Sequence, residues 1–208
     1  MIFIKICGIT ELEDAKNIAE MGVSALGFIF YPKSRRYIEP EKANEIILNL
    51  PPFIVTVGVF VNEKTDKVED TLKICPVDIL QFHGDESPDY CKKFNKRVIK
   101  AFRVNGDFSP VILSNYSVSA FLLDSFTQNE YGGTGKIFDW DVAVKAKKYG
   151  KIILSGGLNT ENIKYAIEKV NPYGIDISSG VEISPGKKDI KKVEEILKLI
   201  SHLKKDNF

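Results

Sequence analysis

The chain alternates between short apolar runs and charged segments of helical period from end to end, and this alternation constrains its fold most. Eight runs are nearly continuous in Ile, Val, Leu and Phe, as strands buried on both faces should be. The predicted strands are Phe3–Cys7, Ala25–Phe30, Ile54–Val61, Val77–Phe82, Val98–Phe102, Ala120–Asp124, Ile152–Ser155 and Gly174–Ser178. The predicted helices are Leu12–Met21, Pro40–Leu50, Thr65–Ile74, Trp140–Tyr149, Thr160–Val170 and Ile190–Leu203.

Eight strand-then-helix units predict an α/β fold, a (β/α)8 or TIM barrel with a parallel, closed, eight-stranded sheet. A doubly wound open sheet is the alternative. No linker, low-complexity tract or break in composition divides the 208 residues, a length that supports one sizeable core. We therefore expect residues 1–208 to form a single barrel domain.

Helix start signals refine these boundaries. Thr10 and Asn159 each precede acidic, helix-like sequence and are candidate N-caps, while Pro40 suits the first position of a helix. The segment 106–119 is the weakest helix prediction, because Pro110 interrupts it.

Composition excludes several classes of protein. The 29 basic and 28 acidic residues give a net charge of +1, so no overall field attracts nucleic acid or a membrane surface. Cys7, Cys75 and Cys91 form neither a paired framework nor a C-x-x-C metal spacing, which favours a reducing cytoplasm. The apolar start is too short for a signal peptide, and no apolar run approaches the roughly 18 residues of a membrane span.

Two residues at predicted strand ends are candidates for proton transfer, because barrels of this kind keep their chemistry there. Cys7 ends the first strand and is either a small buried hydrophobe or, as a thiolate, a base that accepts a carbon-bound proton. Asp124 ends the sixth strand, where burial favours a protonated carboxyl able to act as a general acid. The alternative for Asp124 is a buried carboxylate that caps a loop or pairs with a lysine.

Two glycine-rich turns follow the last two predicted strands. Glycines let backbone N–H groups converge on an anion, and loops after strands seven and eight commonly bind phosphate in these barrels. The turns contain Gly156, Gly157, Ser179 and Gly180, and predict a phosphate site, although glycine can also serve only a tight turn. A P-loop is excluded, because Lys188 stands where that motif needs Ser or Thr.

Other candidates are less specific. Arg36, in the loop after the second strand, can bind a carboxylate or phosphate bidentately, or can belong to an ordinary solvated loop. His83 ends the fourth strand and is placed to bind substrate, whereas His202 in the last helix is expected to face solvent. The glycine-rich segment Tyr131–Gly135 is predicted to be a mobile lid.

Motifs spread in order over the whole chain resemble phosphoribosylanthranilate isomerase. They are Lys5–Thr10, Phe30–Ile38, Val57–Asn62, Gln81–Gly84, Tyr131–Trp140, Leu154–Leu158 and Asp176–Glu182. The resemblance implies a (β/α)8 barrel of tryptophan biosynthesis that converts N-(5-phosphoribosyl)anthranilate to 1-(2-carboxyphenylamino)-1-deoxyribulose 5-phosphate. It also implies a small-molecule substrate, no metal or organic cofactor, and a monomer or homodimer.

The resemblance further implies roles for single residues. It places the general base on Cys7 and the general acid on Asp124, and it makes Arg36, rather than its neighbour Arg35, the ligand of the anthranilate carboxylate. The implied phosphate cradle is Gly156, Gly157, Ser179 and Gly180, and the implied pocket-lining residues are His83 and Asp176. Two rival functions are a sugar-phosphate isomerase of histidine biosynthesis and a barrel that binds a phosphorylated metabolite without turnover.

Overall fold

Eight parallel strands close into a barrel in the computed structural model, which describes residues 2–125 and 139–205. Each strand pairs with its neighbour in sequence, and the first pairs in parallel with the eighth, so the predicted barrel is confirmed and the open sheet is wrong. The strands are β1 (Phe3–Cys7), β2 (Ala25–Ile29), β3 (Val55–Phe60), β4 (Ile79–Phe82), β5 (Arg97–Val104), β6 (Ala120–Ser125), β7 (Ile152–Leu154) and β8 (Gly174–Ile177).

Helices follow the strands around the outside. They are α1 (Leu12–Glu20), α2 (Pro40–Ile47), α3 (Thr65–Ile74), α4 (Pro88–Cys91), α5 (Trp140–Ala146), α6 (Ile163–Val170) and α7 (Ile190–Lys205). Short 3-10 helices lie at Pro110–Asn115, Lys147–Tyr149 and Ser179–Val181, and a small antiparallel hairpin pairs β9 (Glu182–Ser184) with β10 (Lys187–Lys188). No helix within the described residues is both long and apolar enough to cross a membrane.

The structure confirms some of the predicted helix start signals and not others. Pro40 occupies the first turn of α2 as predicted. Thr10 does not cap α1, because its hydroxyl donates a hydrogen bond to the Gly186 carbonyl at 2.8 Å. Asn159 makes the contacts of an N-cap, because its side-chain oxygen accepts the N–H groups of Glu161 and Asn162 and its carbonyl accepts the Ile163 N–H at 3.1 Å. The regular helix α6 nevertheless begins only at Ile163.

The segment 106–119 contains only the 3-10 helix Pro110–Asn115 instead of an α-helix. Sequence reasoning missed α4, whose Ser87 side chain accepts the Tyr90 N–H at 3.2 Å, and it missed the β9–β10 hairpin. Both missed elements are short, and a periodicity argument needs about 11 residues to detect a helix.

Alternation along the strands decides which side chains enter the barrel. Outward residues such as Ile4, Ile6 and Leu123 belong to the large apolar cluster shared with the helices. Inward residues form a second, smaller cluster of Ile99, Ala101, Ala120, Leu122 and Ile153. By the same alternation and the strand register, the inward positions toward the carboxyl ends include Lys5, Cys7, Gly27, Gln81, His83, Arg103, Asp124 and Asp176. The barrel interior is therefore apolar on one side and polar at the mouth.

Candidate active site

The end of β1 carries a buried cysteine beside a buried ion pair. The Lys5 ammonium lies 2.9 Å from Asp176 Oδ1, and the two residues are register partners across β1 and β8. Gly27 is the register partner of Cys7 on β2. A Cβ on Gly27 would lie 2.8 Å from Cys7 Sγ and 3.0 Å from Lys5 Nζ. The sulfur and the ammonium therefore share the space that this glycine leaves open.

Opposing electrostatic effects act on the pKa of the Cys7 thiol. Burial raises the pKa of the Cys7 thiol above its ordinary value, and the charge and hydrogen bond of Lys5 act in the opposite direction. Asp176 adds to the rise in the Cys7 pKa, while Lys188 lowers it. Burial alone would lower the pKa of Lys5, but the charges of Asp176 and Cys7 raise it above its ordinary value. Lys5 is therefore the cation of a buried group of three ionisable residues.

Arg36 reaches the barrel mouth from the loop after β2. Its side chain passes over Gly8, where a Cβ would lie 2.6 Å from Arg36 Cδ. The guanidinium makes a forked contact with the Glu182 carboxylate, with Nε 2.8 and 3.1 Å from the two oxygens and Nη2 2.7 Å from Oε2. Arg35 is exposed. Of the two adjacent arginines, the structure places Arg36 at the mouth of the barrel.

Residues at the start and end of the β9–β10 hairpin lie beside Arg36 and the carboxyl end of β1. Lys188 is fully buried and donates to the Cys7 carbonyl at 2.6 Å and to Glu182 Oε1 at 2.8 Å. Ser178 Oγ also donates to the Cys7 carbonyl, at 3.1 Å. Although burial alone would raise the pKa of Glu182, Arg36 and Lys188 hold it below its ordinary value. Burial lowers the pKa of Lys188 below its ordinary value, whereas the Arg36 guanidinium keeps its charge and suits an anionic ligand.

Asp124 faces the barrel interior near the carboxyl end of β6 and belongs to a chain of hydrogen-bonding groups. Its Oδ2 is 3.2 Å from His83 Nε2, and His83 Nδ1 is 3.0 Å from Gln81 Nε2. Its Oδ1 accepts the Ser125 N–H at 2.9 Å. Because the Gln81 Nε2 amide can only donate, His83 Nδ1 accepts from it, and the ring proton lies on Nε2, which donates to Asp124 Oδ2. This arrangement can deliver a proton into the barrel mouth.

The glycine turns after β7 and β8 touch each other. Gly156 and Gly157 adopt φ values of +84° and +67°, which favour glycine. A Cβ on Gly180 would overlap the Leu158 carbonyl oxygen, so the two turns form one continuous backbone surface. A Cβ on Gly156 would lie 2.8 Å from Asp124 Oδ1, which brings this surface next to the carboxyl.

The predicted site residues therefore form two groups at the carboxyl-terminal rim of the barrel. Cys7, Asp176 and Arg36 lie near β1 and β8, while Asp124 and His83 lie near β4 and β6. His202 is exposed as expected, and Tyr131–Gly135 lies outside the described residues. Among residues 2–125 and 139–205, no three His, Cys, Asp or Glu side chains are placed to hold a metal ion.

Sequence reasoning assigned no role to Lys5, Gln81, Glu182 or Lys188. A lysine in the middle of a strand otherwise made of apolar residues is a detectable signal, because an unpaired charge is rarely buried. Lys5 gives that signal within β1. Glu182 and Lys188 lie on a hairpin that was not predicted, so nothing in the sequence indicated their burial.

Known proteins match this chain along its length. A family model described as N-(5'phosphoribosyl)anthranilate (PRA) isomerase matches residues 4–199. The chain is 53% identical over 197 residues to the N-(5'-phosphoribosyl)anthranilate isomerase of Citrifermentans bemidjiense, which covers 95% of this chain and 96% of that protein.

Solved structures agree with the sequence comparison. Phosphoribosyl anthranilate isomerase from Thermus thermophilus matches with a TM-score of 0.90 at 35% identity, over 97% of this chain and 100% of that one. A phosphoribosyl anthranilate isomerase in complex with reduced 1-(o-carboxyphenylamino)-1-deoxyribulose 5-phosphate matches with a TM-score of 0.86 at 40% identity, over 97% and 100% of the two chains. The closed parallel barrel, the polar mouth and these matches agree: the chain belongs to the N-(5'-phosphoribosyl)anthranilate isomerase family.

Proposed function

We propose that Cys7 and Asp124 catalyse the rearrangement of N-(5-phosphoribosyl)anthranilate to 1-(2-carboxyphenylamino)-1-deoxyribulose 5-phosphate, a step of tryptophan biosynthesis. The observation that carries this assignment is the inward placement of both residues at the carboxyl ends of β1 and β6. An aldose-to-ketose shift needs an acid at the ring oxygen and a base at the neighbouring carbon, and these two strand ends supply one of each.

Asp124 acts first, as the general acid. Its carboxyl donates a proton to the furanose ring oxygen, the bond from that oxygen to C1′ breaks, and a protonated imine forms between C1′ and the anthranilate nitrogen. The contact of 3.2 Å with His83 supplies a neighbour that can return a proton to Asp124 after each turnover.

Cys7 acts second, as the general base. Its thiolate removes the C2′ proton, and the electrons of that C–H bond neutralise the imine to give an enolamine. The enolamine then loses its hydroxyl proton and gains a proton at C1′, which yields the aminoketose. Each turnover carries one proton out of Asp124 and one into Cys7, so both groups must exchange protons with solvent before the next cycle.

Two anion sites hold the ends of the substrate. Arg36 binds the anthranilate carboxylate, and its forked contact with the Glu182 carboxylate supports this choice because the same geometry suits a carboxylate ligand. The joined turns carrying Gly156, Gly157, Ser179 and Gly180 bind the phosphate through backbone N–H groups. His83 and Asp176 line the pocket between these ends. Binding energy at both ends fixes the sugar against the acid and the base.

Three further expectations complete the proposal. Residues 1–208 act as one barrel domain, the protein works in the cytoplasm, and it is a monomer or a homodimer. Sedimentation analysis separates the two oligomeric states.

A turnover assay tests the function itself. The labile substrate is generated in place from anthranilate and phosphoribosyl pyrophosphate, and product formation is followed with the intact protein. We expect turnover without added metal. A folded barrel without turnover would overturn the proposal and direct the test to the aminoaldose phosphate of histidine biosynthesis, and then to binding without catalysis.

A further inference from the structure

Lys5 is a buried charged residue in the barrel mouth that takes no part in the proposed proton transfers. Lys5 is 5% exposed, lies one inward position below Cys7 on β1, and pairs with Asp176 at 2.9 Å. Its ammonium and the Cys7 sulfur border the same space, because both lie within 3.0 Å of the position that a Cβ on Gly27 would take. A lysine of this kind costs free energy to bury, and a carboxylate alone repays that cost only with good geometry.

We propose that Lys5 is a positioning residue that stabilises the thiolate of Cys7, as the cation between that sulfur and the carboxylate of Asp176. The proposal deepens the assignment of Cys7 as the general base and rests on it. A base must lose its proton before it can act, and burial disfavours the charged thiolate. A cation close to the sulfur offsets that cost.

Geometry around Gly27 supports the pairing. A Cβ on Gly27 would meet both Cys7 Sγ and Lys5 Nζ, at 2.8 and 3.0 Å. Only a residue without a side chain leaves room on β2 for the two groups to lie together in the barrel mouth. Asp176, from the strand on the other side of β1, holds the ammonium in place.

The other charged groups near Cys7 do not substitute for Lys5. Lys188 contacts the Cys7 backbone carbonyl instead of the sulfur, and Glu182 neutralises part of its charge. Asp176 is negative and by itself disfavours the thiolate. Within the described part of the chain, Lys5 is therefore the cation that lies beside the Cys7 sulfur in the space left open by Gly27.

The test measures thiol ionisation without substrate, so it gives a result even if Cys7 is not the base. Alkylation of Cys7 by iodoacetamide is followed over a pH series, and peptide mass spectrometry separates Cys7 from Cys75 and Cys91. At a fixed pH below the thiol midpoint, we expect Lys5→Met to slow alkylation about ten- to a thousand-fold, equal to an upward shift of about one to three pH units.

A double variant removes the ambiguity of an unpaired carboxylate. Lys5→Met alone leaves Asp176 buried and unpaired, which can unfold the barrel. Lys5→Met/Asp176→Asn removes both charges, and we expect its midpoint to lie between those of the wild type and Lys5→Met. A wild-type midpoint in the double variant would overturn the proposal, because Lys5 would then only neutralise Asp176. If Lys5→Met does not fold, the double variant decides alone.

A matched control comes from the outer face of the barrel. Lys100 is also buried, at 1% exposure, and pairs with Glu86 at 2.9 Å. Lys100→Met/Glu86→Gln removes an equivalent ion pair, and we expect it to leave the Cys7 midpoint unchanged. A shift as large as that of the Lys5 variants would mean that loss of packing, instead of loss of charge, controls the thiol.

Discussion

Gly180→Ala tests whether the two glycine turns form one phosphate-binding surface. The new Cβ would overlap the Leu158 carbonyl oxygen, and would lie 3.0 Å from the Leu158 carbonyl carbon and 3.2 Å from Asn159 Cα. All three atoms are backbone, so the turns must separate. The φ of Gly180 is not in the left-handed region, so the effect is steric. Overpacking of this kind costs about 1–3 kcal/mol of stability.

Displacement of a binding group by about 1 Å lowers kcat/KM by about 10²-fold, or about 2.7 kcal/mol of transition-state stabilisation. We expect Gly180→Ala to lose this much, mainly through a higher KM, and to be inhibited less by inorganic phosphate. Gly106→Ala is the control, because a Cβ there meets nothing within 4 Å. Wild-type KM and wild-type inhibition by phosphate in Gly180→Ala would refute the reasoning.

Two further predictions concern the β1 corner. Arg36→Met should raise the KM about tenfold or more, because it removes a charge-assisted contact with the substrate carboxylate. Arg35→Met should change the KM little, because Arg35 is exposed. Equal effects of the two substitutions would contradict the choice of Arg36. The pKa of Glu182 is lowered in the folded state, so its carboxylate stabilises the fold at pH values above 4.5, the ordinary glutamate pKa. This contribution is lost as the pH falls through the folded-state pKa. The Tm difference between the wild type and Glu182→Gln should therefore be widest at neutral pH and shrink progressively as the pH falls below 4.5. A difference independent of pH would be inconsistent with this linkage.

Strand-forming segments were predictable because burial on both faces leaves a nearly continuous apolar run. The predicted bounds of β1 and α3 match the structure, and other strand ends differ by a residue or two. Asn159 shows how far a local signal reaches. Its side-chain oxygen accepts the two backbone N–H groups expected of an N-cap, but the regular helix begins at Ile163, three residues later than predicted.

Parts of the candidate site could not be predicted from the sequence. Cys7 and Asp124 were identifiable because strand ends follow from the apolar pattern. The pairing of Lys5 with Asp176 joins residues 171 positions apart and exists only because β8 closes on β1. Likewise, the contact of Arg36 with Glu182 depends on a three-residue strand of a hairpin that no periodicity reveals.

The acid–base assignment is tested most directly by the turnover of Cys7→Ser and Asp124→Asn beside the wild type. Binding of reduced 1-(o-carboxyphenylamino)-1-deoxyribulose 5-phosphate and the Tm serve as checks on site integrity and folding. We expect kcat to fall about 10²–10⁴-fold in each variant, with binding and fold retained. A kcat within about tenfold of the wild type in either variant would contradict the assignment of that residue.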